Sequence, residues 1–265
     1  MAILNGPFDF LGSMGNLVAY KQRSTGKTII QRKGGPSKEQ IKHSPRFERT
    51  RENIREFSAC SKAATGLKQC LHLLAGITDF NLTSALTSRC KEVQRRDEQG
   101  ARGERNVYLS QHRHLLNGFN LHSLVLFDGV VKHLSFGADR KSAAAVVTIP
   151  ELVPGCNLAL AWKAPYYRLV ISLGIVADVV KGKHGYQPQG MERFSEALQY
   201  YDSGWQSAVL PFAGETVKLQ LSTGKALQKA HTLVLAIGIE PGWPDAVAGV
   251  LPRKHAGAGK ILAVF

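Results

Sequence analysis

Two short runs of alternating apolar and polar residues give the first clear structural pattern in this chain. They are Asn16–Lys21 and Lys27–Lys33, and they flank a short segment that contains Gly26. Glycine readily adopts the positive φ angle that a tight hairpin loop requires. We therefore predict a β-hairpin over residues 16–33, which ends at the turn Gly34-Gly35-Pro36.

The apolar spacing changes after this turn to the repeat of an α-helix. Ser44 is a suitable N-cap, Pro45 suits the first helical position and Glu48 suits the first turn. Apolar residues then recur at helical spacing, and we expect them to share one buried face. They are Phe47, Ile54, Phe57, Ala64, Leu67, Leu71 and Leu74.

A second helix is predicted from about Asn81 to Gln94. Its apolar side has the same helical spacing and consists of Leu82, Leu86, Cys90 and Val93. The following segment, Arg95–Asn106, is highly charged and contains two glycines, so we predict an exposed loop there.

Strand patterns replace helical ones from about Val107 onward. Turns rich in glycine and proline separate the runs, and Met191–Tyr201 is predicted to be one helical turn or a loop. Many short strands with frequent turns favour an antiparallel β-sandwich. The predicted strands are Leu124–Phe127, Val130–Phe136, Ala144–Ile149, Asn157–Lys163, Tyr167–Val180, Ser207–Pro211, Glu215–Leu221, Thr232–Glu240 and Ile261–Phe265.

The predicted fold class is therefore α+β or mainly β. An N-terminal β-hairpin and a two-helix region precede a C-terminal antiparallel β-sandwich. We expect a basic hairpin-plus-helix domain over residues 1–120 and the sandwich over residues 121–265. If the hairpin packs into the same core, the chain forms one continuous unit instead.

Positive charge is concentrated near the N-terminal end. The chain has 34 Lys and Arg against 20 Asp and Glu, and residues 21–55 alone hold 11 basic and 3 acidic side chains. Such a field attracts nucleic acid or another polyanion, although a solvated basic surface without a partner is the alternative. The candidate polyanion-binding residues are Lys21, Arg23, Lys27, Arg32, Lys33, Lys42, Arg46, Arg49, Arg51 and Arg55.

One combination of residues in the N-terminal part of the chain forms a recognisable pattern. It consists of Arg32-Lys33-Gly34-Gly35-Pro36, Ile41-Lys42, Phe47, Arg51, Asn53, Glu56-Phe57 and Lys62. With this pattern, residues 1–125 resemble a family of uncharacterised proteins that is abundant in Bacteroidota genomes. Further similarity lies in Gly12–Asn16, in Arg102–Val107 and in Gly118–Asn120. The resemblance implies no activity and no catalytic residue.

Patterns that carry catalysis or metal binding are weak in this sequence. His112 and His114 would share a metal only on a strand and with a third ligand, which the neighbouring sequence lacks. Residues 34–38 lack the spacing of a phosphate-binding loop, and no GxSxG motif is present. Of the four cysteines, Cys60 and Cys70 lie in apolar helical context and are predicted to be buried thiols.

These observations predict a protein that is not an enzyme. We predict no catalytic residue, no cofactor, no metal and no small-molecule substrate. An enzyme whose residues come together from distant strands remains as a third hypothesis, because sequence spacing does not exclude it.

Membrane segments are also not expected. No stretch reaches 18 apolar residues, and residues 1–20 lack the uninterrupted apolar core of a signal peptide. We predict a protein that is cytoplasmic or released as part of an assembly.

The leading functional hypothesis is a structural protein that self-assembles into a homo-oligomer, such as a filament, a sheath or a virion-like component. Open strand edges pair readily with other chains. The alternative is a nucleic-acid-binding module that uses the basic segment 21–55. The candidate assembly segments contain Gly12, Gly15, Leu17, Val18, Tyr20, Ile261, Val264 and Phe265.

Overall fold

The predicted fold class, α+β or mainly β, is confirmed by a computed structural model that describes residues 2–3, 10–194, 197–224 and 226–265. The chain divides into two compact units, residues 1–51 and 52–265. This division differs from the expected boundary near residue 120. The reason is that the helical segment from 52 to 94 shares a hydrophobic core with the strands that follow it.

The first unit contains a four-stranded antiparallel sheet. Its strands are β1 (Ala2–Ile3), β2 (Gly12–Met14), β3 (Leu17–Lys21) and β4 (Thr28–Arg32), in the order β1-β4-β3-β2. The predicted hairpin is confirmed as β3 and β4, whose loop places Gly26 at φ +67°. A second tight turn, with Gly15 at φ +56°, joins β2 to β3.

A short helix, α1 (Lys38–His43), follows the sheet and was not predicted. Ser37 starts it with a capping box, in which the Ser37 hydroxyl accepts the Gln40 N–H and the Gln40 side chain accepts the Ser37 N–H. A 3₁₀ turn at Pro45–Phe47 then leads into the long helix α2 (Glu48–Cys70). The predicted helix start at Ser44-Pro45 therefore marks the 3₁₀ turn.

The second unit begins with a helical layer. Helix α2 is followed by a 3₁₀ segment, His72–Ile77, and by α3 (Leu82–Gln94). The prediction of α3 is confirmed, with Asn81 as its N-cap and its four apolar residues buried. Shorter helical elements are α4 (Phe127–Val130) and 3₁₀ turns at Leu109–Gln111, Arg113–Leu115 and Met191–Arg193.

The predicted buried face of α2 is wrong in its first half. Ala64 and Leu67 are buried as expected, but Ile54 and Phe57 are 55% and 61% exposed. Glu52 and Glu56 are buried in their place. Hydrogen bonds to Glu56, which are described below, stabilise this orientation of the helix.

Two sheets and a separate hairpin form the rest of this unit. Their strands are β5 (Ser135–Asp139), β6 (Ala144–Ile149), β7 (Tyr166–Ala177), β8 (Val179–Gly182), β9 (Gly185–Pro188), β10 (Leu198–Asp202), β11 (Gln206–Ser207), β12 (Glu215–Gln220), β13 (His231–Asp245), β14 (Gly249–Pro252) and β15 (Ala258–Val264). The larger sheet has six strands, in which the long central strands β7 and β13 pair along twelve residue positions. The smaller sheet has three strands in the order β12-β6-β5, and β8 and β9 form the hairpin.

The larger sheet is buried on both faces. Val170, Val234 and Ala236 face the helices, whereas neighbouring residues such as Leu169 and Leu235 face the smaller sheet. A strand covered on both sides shows a continuous apolar run instead of alternation. This explains why the sequence of β7 and β13 predicts strands but does not show that helices cover one face of the sandwich.

Two predicted strands are absent from the described structure, and two others are strands only at one end. Val130–Phe136 overlaps β5 only at its last two residues, and Ser207–Pro211 overlaps β11 only at Ser207. Leu124–Phe127 ends in the helical turn α4, and Asn157–Lys163 makes only isolated bridges. The Asn157 side chain closes a loop, because its oxygen accepts the Val153 N–H and its amide donates to the Glu151 carbonyl. Side-chain bonds of this kind compete with strand pairing.

The segment predicted as one helical turn or a loop, Met191–Tyr201, is only partly so. It begins with the 3₁₀ turn Met191–Arg193, but β10 starts at Leu198 and pairs with β7. Residues 195–196 lie outside the described part of the chain. No described helix is long and apolar enough to span a membrane.

Candidate functional site

The outer edge of β2 is an exposed strand edge that belongs to the predicted N-terminal assembly segment. All three of its residues are exposed, and β3 is its only partner strand in the described part of residues 1–51. Leu11 and Met14 are 56% and 63% exposed. Residues 10–16 contain no Lys, Arg, Asp, Glu or Pro. Charge and proline are the usual means of keeping strand edges apart, and this edge has neither.

The sheet that carries this edge has little core of its own. Within the described part of residues 1–51, only Ala19, Thr28 and Ile29 are buried. Leu17 and Val18 are half-buried, and Tyr20, Gly12 and Gly15 are exposed. The five N-terminal candidates for assembly therefore lie together on one small, open sheet.

The C-terminal candidates lie in a different environment. Ile261 and Val264 are buried in the helix-facing core, and Phe265 is half-buried. One edge of β15 pairs with β13, and the other is hydrogen-bonded to residues 118–121, including Gly118 N–H to the Ile261 carbonyl at 2.9 Å. Because both edges of this strand are hydrogen-bonded there, Ile261 and Val264 do not form an open edge for assembly.

The candidate polyanion-binding residues are mostly exposed. Nine of the ten have exposed side chains, and Arg51 is half-buried. Arg51 donates hydrogen bonds of 2.8 Å to the carbonyls of Ile41 and Ser44, which gives it a structural role at the end of α1. Lys21, Arg23 and Lys27 lie together at the β3–β4 loop. Residues 1–51 hold ten Lys and Arg against three Asp and Glu.

His112 and His114, for which the sequence gives only a weak indication of a metal site, lie on 3₁₀ structure and not on a strand. The two rings meet edge to face at 6.1 Å, and His114 Nε2 lies 2.9 Å from an Arg96 guanidinium nitrogen. Burial and the charge of Arg96 lower the pKa of His112. In the described ranges, no group of three His, Cys, Asp or Glu is arranged to hold a metal ion.

A serine, a histidine and an aspartate also meet at residues 79 and 122–123. The Ser123 hydroxyl donates to the Asp79 carboxylate, while His122 Nδ1 accepts the N–H groups of Leu124 and Val125 at 3.2 and 3.1 Å. A nucleophilic serine needs its hydroxyl bonded to the base. This arrangement orders a turn and does not place a base beside the serine.

A buried polar network joins α2, α3 and the loop after α3. Lys91 Nζ donates to Glu56 Oε2 at 2.6 Å, and the Gly103 N–H donates to Glu56 Oε1 at 2.9 Å. Gln94, which is fully buried, donates to the carbonyls of Glu56 and Arg105. The predicted exposed loop 95–106 is therefore partly buried. Sequence reasoning missed this network, because the predicted apolar face contained Phe57 and not Glu56.

Opposing effects act on the Glu56 carboxyl. Burial raises its pKa. The hydrogen bonds from Lys91 and Gly103 and the charges of Lys91 and Arg105 lower the pKa by more than burial raises it, so the net pKa lies below the usual value. The carboxylate is held ionised and paired. The network stabilises the contact between the helices and the loop.

The predicted buried thiols are confirmed. Cys60, Cys70 and Cys90 are buried, and Cys156 is exposed. Burial raises the pKa of Cys60 to about 11 and that of Cys70 to about 12. Since the thiolate is the reactive form, these thiols are unreactive near neutral pH.

The chain matches no protein-family model and is not similar to any curated protein at a significant level. The resemblance of residues 1–125 to the Bacteroidota family stays a prediction.

Proposed function

We propose that this protein is a non-enzymatic structural protein that self-associates through the edge of its N-terminal sheet. The observation that supports this proposal is the exposed edge of β2, which is uncharged and carries the exposed side chains of Leu11 and Met14 in a unit that is otherwise strongly basic. Two copies of a basic chain repel each other over most of their surfaces. They approach most easily where the surface carries no charge.

A second copy of this chain is the partner that fits this edge. Two β2 edges can pair antiparallel about a two-fold axis, because such a contact uses the same surface on both subunits. Leu11 and Met14 would then bury apolar area across the contact. A filament, sheath or virion-like assembly would need a further contact elsewhere on the chain.

Size-exclusion chromatography with light scattering, in low and in high salt, tests this proposal. We expect a salt-stable oligomer from the wild type and a monomer from Leu11→Lys and Met14→Lys, because a lysine on the edge blocks pairing. The matched control is Val247→Lys. Val247 is another exposed apolar residue, but it lies on the second unit, where its side chain is 97% exposed. A wild-type monomer at every concentration would contradict self-association.

Polyanion binding by the β3–β4 loop is the second candidate function. It is favoured by the grouping of Lys21, Arg23 and Lys27 at one hairpin tip. Contacts to a phosphate backbone would give binding that tolerates any sequence and weakens steeply with salt.

Fluorescence anisotropy with a single-stranded DNA of mixed sequence distinguishes this candidate. We expect the double variant Arg23→Glu, Lys27→Glu to bind more weakly and with a smaller salt dependence. The control is Lys183→Glu with Lys254→Glu, which reverses two exposed charges on the second unit. If both double variants bind like the wild type, the hairpin tip is not the binding surface.

A further inference from the structure

A cavity of about 690 Å³ opens beside the buried end of β7 in the second unit. Four separate parts of the chain supply its charged side chains. Arg113 comes from a 3₁₀ turn, Arg140 from the turn between β5 and β6, Asp178 from the link between β7 and β8, and Lys229 from the residues before β13. Because these positions are far apart in sequence, no motif reveals the site.

Two guanidinium groups lie close together in this cavity. The Arg140 side chain is held by bonds to the carbonyls of Phe265 and Gln228, at 3.1 and 3.0 Å. Burial and the nearby charge of Arg113 lower the pKa of Arg140. The Nε of Arg113 is buried and has no hydrogen-bond partner in the part of the chain that the structure describes. A buried donor without a partner is costly.

The only acid among the described lining residues is already engaged. Both Asp178 oxygens accept hydrogen bonds from Ser110, at 2.8 Å from its N–H and 2.6 Å from its hydroxyl. Burial raises the pKa of Asp178, although the Ser110 bonds and the charge of Arg113 partly offset that rise. Among the described lining side chains, one carboxylate thus lies with three cations, Arg113, Arg140 and Lys229, which is an excess of positive charge.

We propose that this cavity binds a small ligand that carries a phosphate group. Arginine presents a planar fork that bonds two phosphate oxygens at once, and a lysine adds a further mobile cation. A phosphate with two negative charges also matches the charge excess better than a carboxylate with one. The polar side chains of Tyr108, Gln111 and Gln189 line the same cavity and can bond the rest of the ligand.

Isothermal titration of the 265-residue chain with inorganic pyrophosphate tests this proposal. We expect one equivalent to bind, and we expect Arg113→Gln and Lys229→Gln each to weaken binding by about tenfold or more, since each removes charged hydrogen bonds. Lys183→Gln is the matched control, because Lys183 is an exposed lysine outside the cavity. It should bind as the wild type does.

The design separates this site from the basic hairpin. Pyrophosphate binding that survives Lys229→Gln but is lost in the Arg23→Glu, Lys27→Glu variant would overturn the proposal, as would a wild type without saturable binding. Lys229 is exposed and its replacement should leave the fold intact, so it decides the outcome if Arg113→Gln lowers the melting temperature. Self-association through β2 can fail without affecting this result, because the two tests use different residues.

Discussion

The placement of single side chains in α2 follows polar contacts more than hydrophobic spacing. Glu56 is buried and Phe57, its neighbour, is exposed, which is the reverse of what helical spacing predicts. An ionised carboxylate is buried only where charged and polar partners replace water. Lys91 and the Gly103 N–H supply these partners, and both come from later in the chain.

The first prediction concerns the pH dependence that Glu56 creates. Its pKa is lower in the folded state than in the unfolded chain, so its contribution to stability is present above about pH 4.3 and is lost as pH falls through the folded value. Glu56→Gln should lower the free energy of unfolding by about 2 kcal/mol at pH 7. Urea denaturation at several pH values should show this difference shrinking below about pH 4.

A matched control for that measurement is Glu39→Gln, which removes an exposed acid on α1. Its difference from the wild type should stay within about 0.5 kcal/mol at every pH, because its ion pair with His43 lies at the surface. A Glu56→Gln difference that is the same at pH 3 and pH 7 would show that the carboxylate charge does not stabilise the fold.

At the scale of elements, helix starts follow local chemistry closely. Asn81 caps α3 by accepting the Ser84 N–H at 3.0 Å, and Ser37 caps α1 in the same way. These bonds involve residues three positions apart, so sequence alone can indicate them. Strand ends depend on partners far away in sequence, which is why β13 extends to Asp245 beyond its predicted end.

The second prediction tests the cap of α3. Asn81→Ala should lower the free energy of unfolding by about 1 kcal/mol, because the Ser84 N–H loses its acceptor. Asn81→Asp is the control and should retain most of the stability, since its carboxylate oxygen can accept the same bond. Equal losses in the two variants, measured by urea denaturation, would mean that the cap is not the cause.

For the whole molecule, the two units differ in how much core they contain. Strands β7 and β13 lie between a helical layer and a second sheet, with nearly every residue buried. Gly174 in β7 allows α2 to approach closely, because a Cβ at that position would collide with the Cys70 side chain. The described part of residues 1–51 has three buried residues.

The third prediction follows from this difference. In hydrogen–deuterium exchange of a dilute sample, amides of β7 and β13 should be the most protected and those of β2 among the least, because local opening tracks buried contacts. At high concentration, β2 should gain protection if its edge pairs with a second copy. Protection of β2 equal to that of β13 in the dilute sample would contradict this view of the first unit.

Local features of this protein were predictable from its sequence alone. The β3–β4 hairpin, α3 with its cap, and strands such as β6 depend on turns, caps and side-chain periodicity over a few residues. Their existence was predicted correctly, although their bounds shifted by one or a few residues. The basic character of residues 21–55 and the burial of Cys60 and Cys70 also followed from sequence.

Only the tertiary structure decided which surfaces those elements cover. The helices bury one face of the larger sheet, β15 is closed by residues 118–121, and Glu56 lies inside while Phe57 lies outside. Arg113, Arg140 and Lys229 also meet only because distant turns reach the same end of β7. Contacts between residues so far apart leave no periodic trace in the sequence, because each depends on the packing of the whole chain.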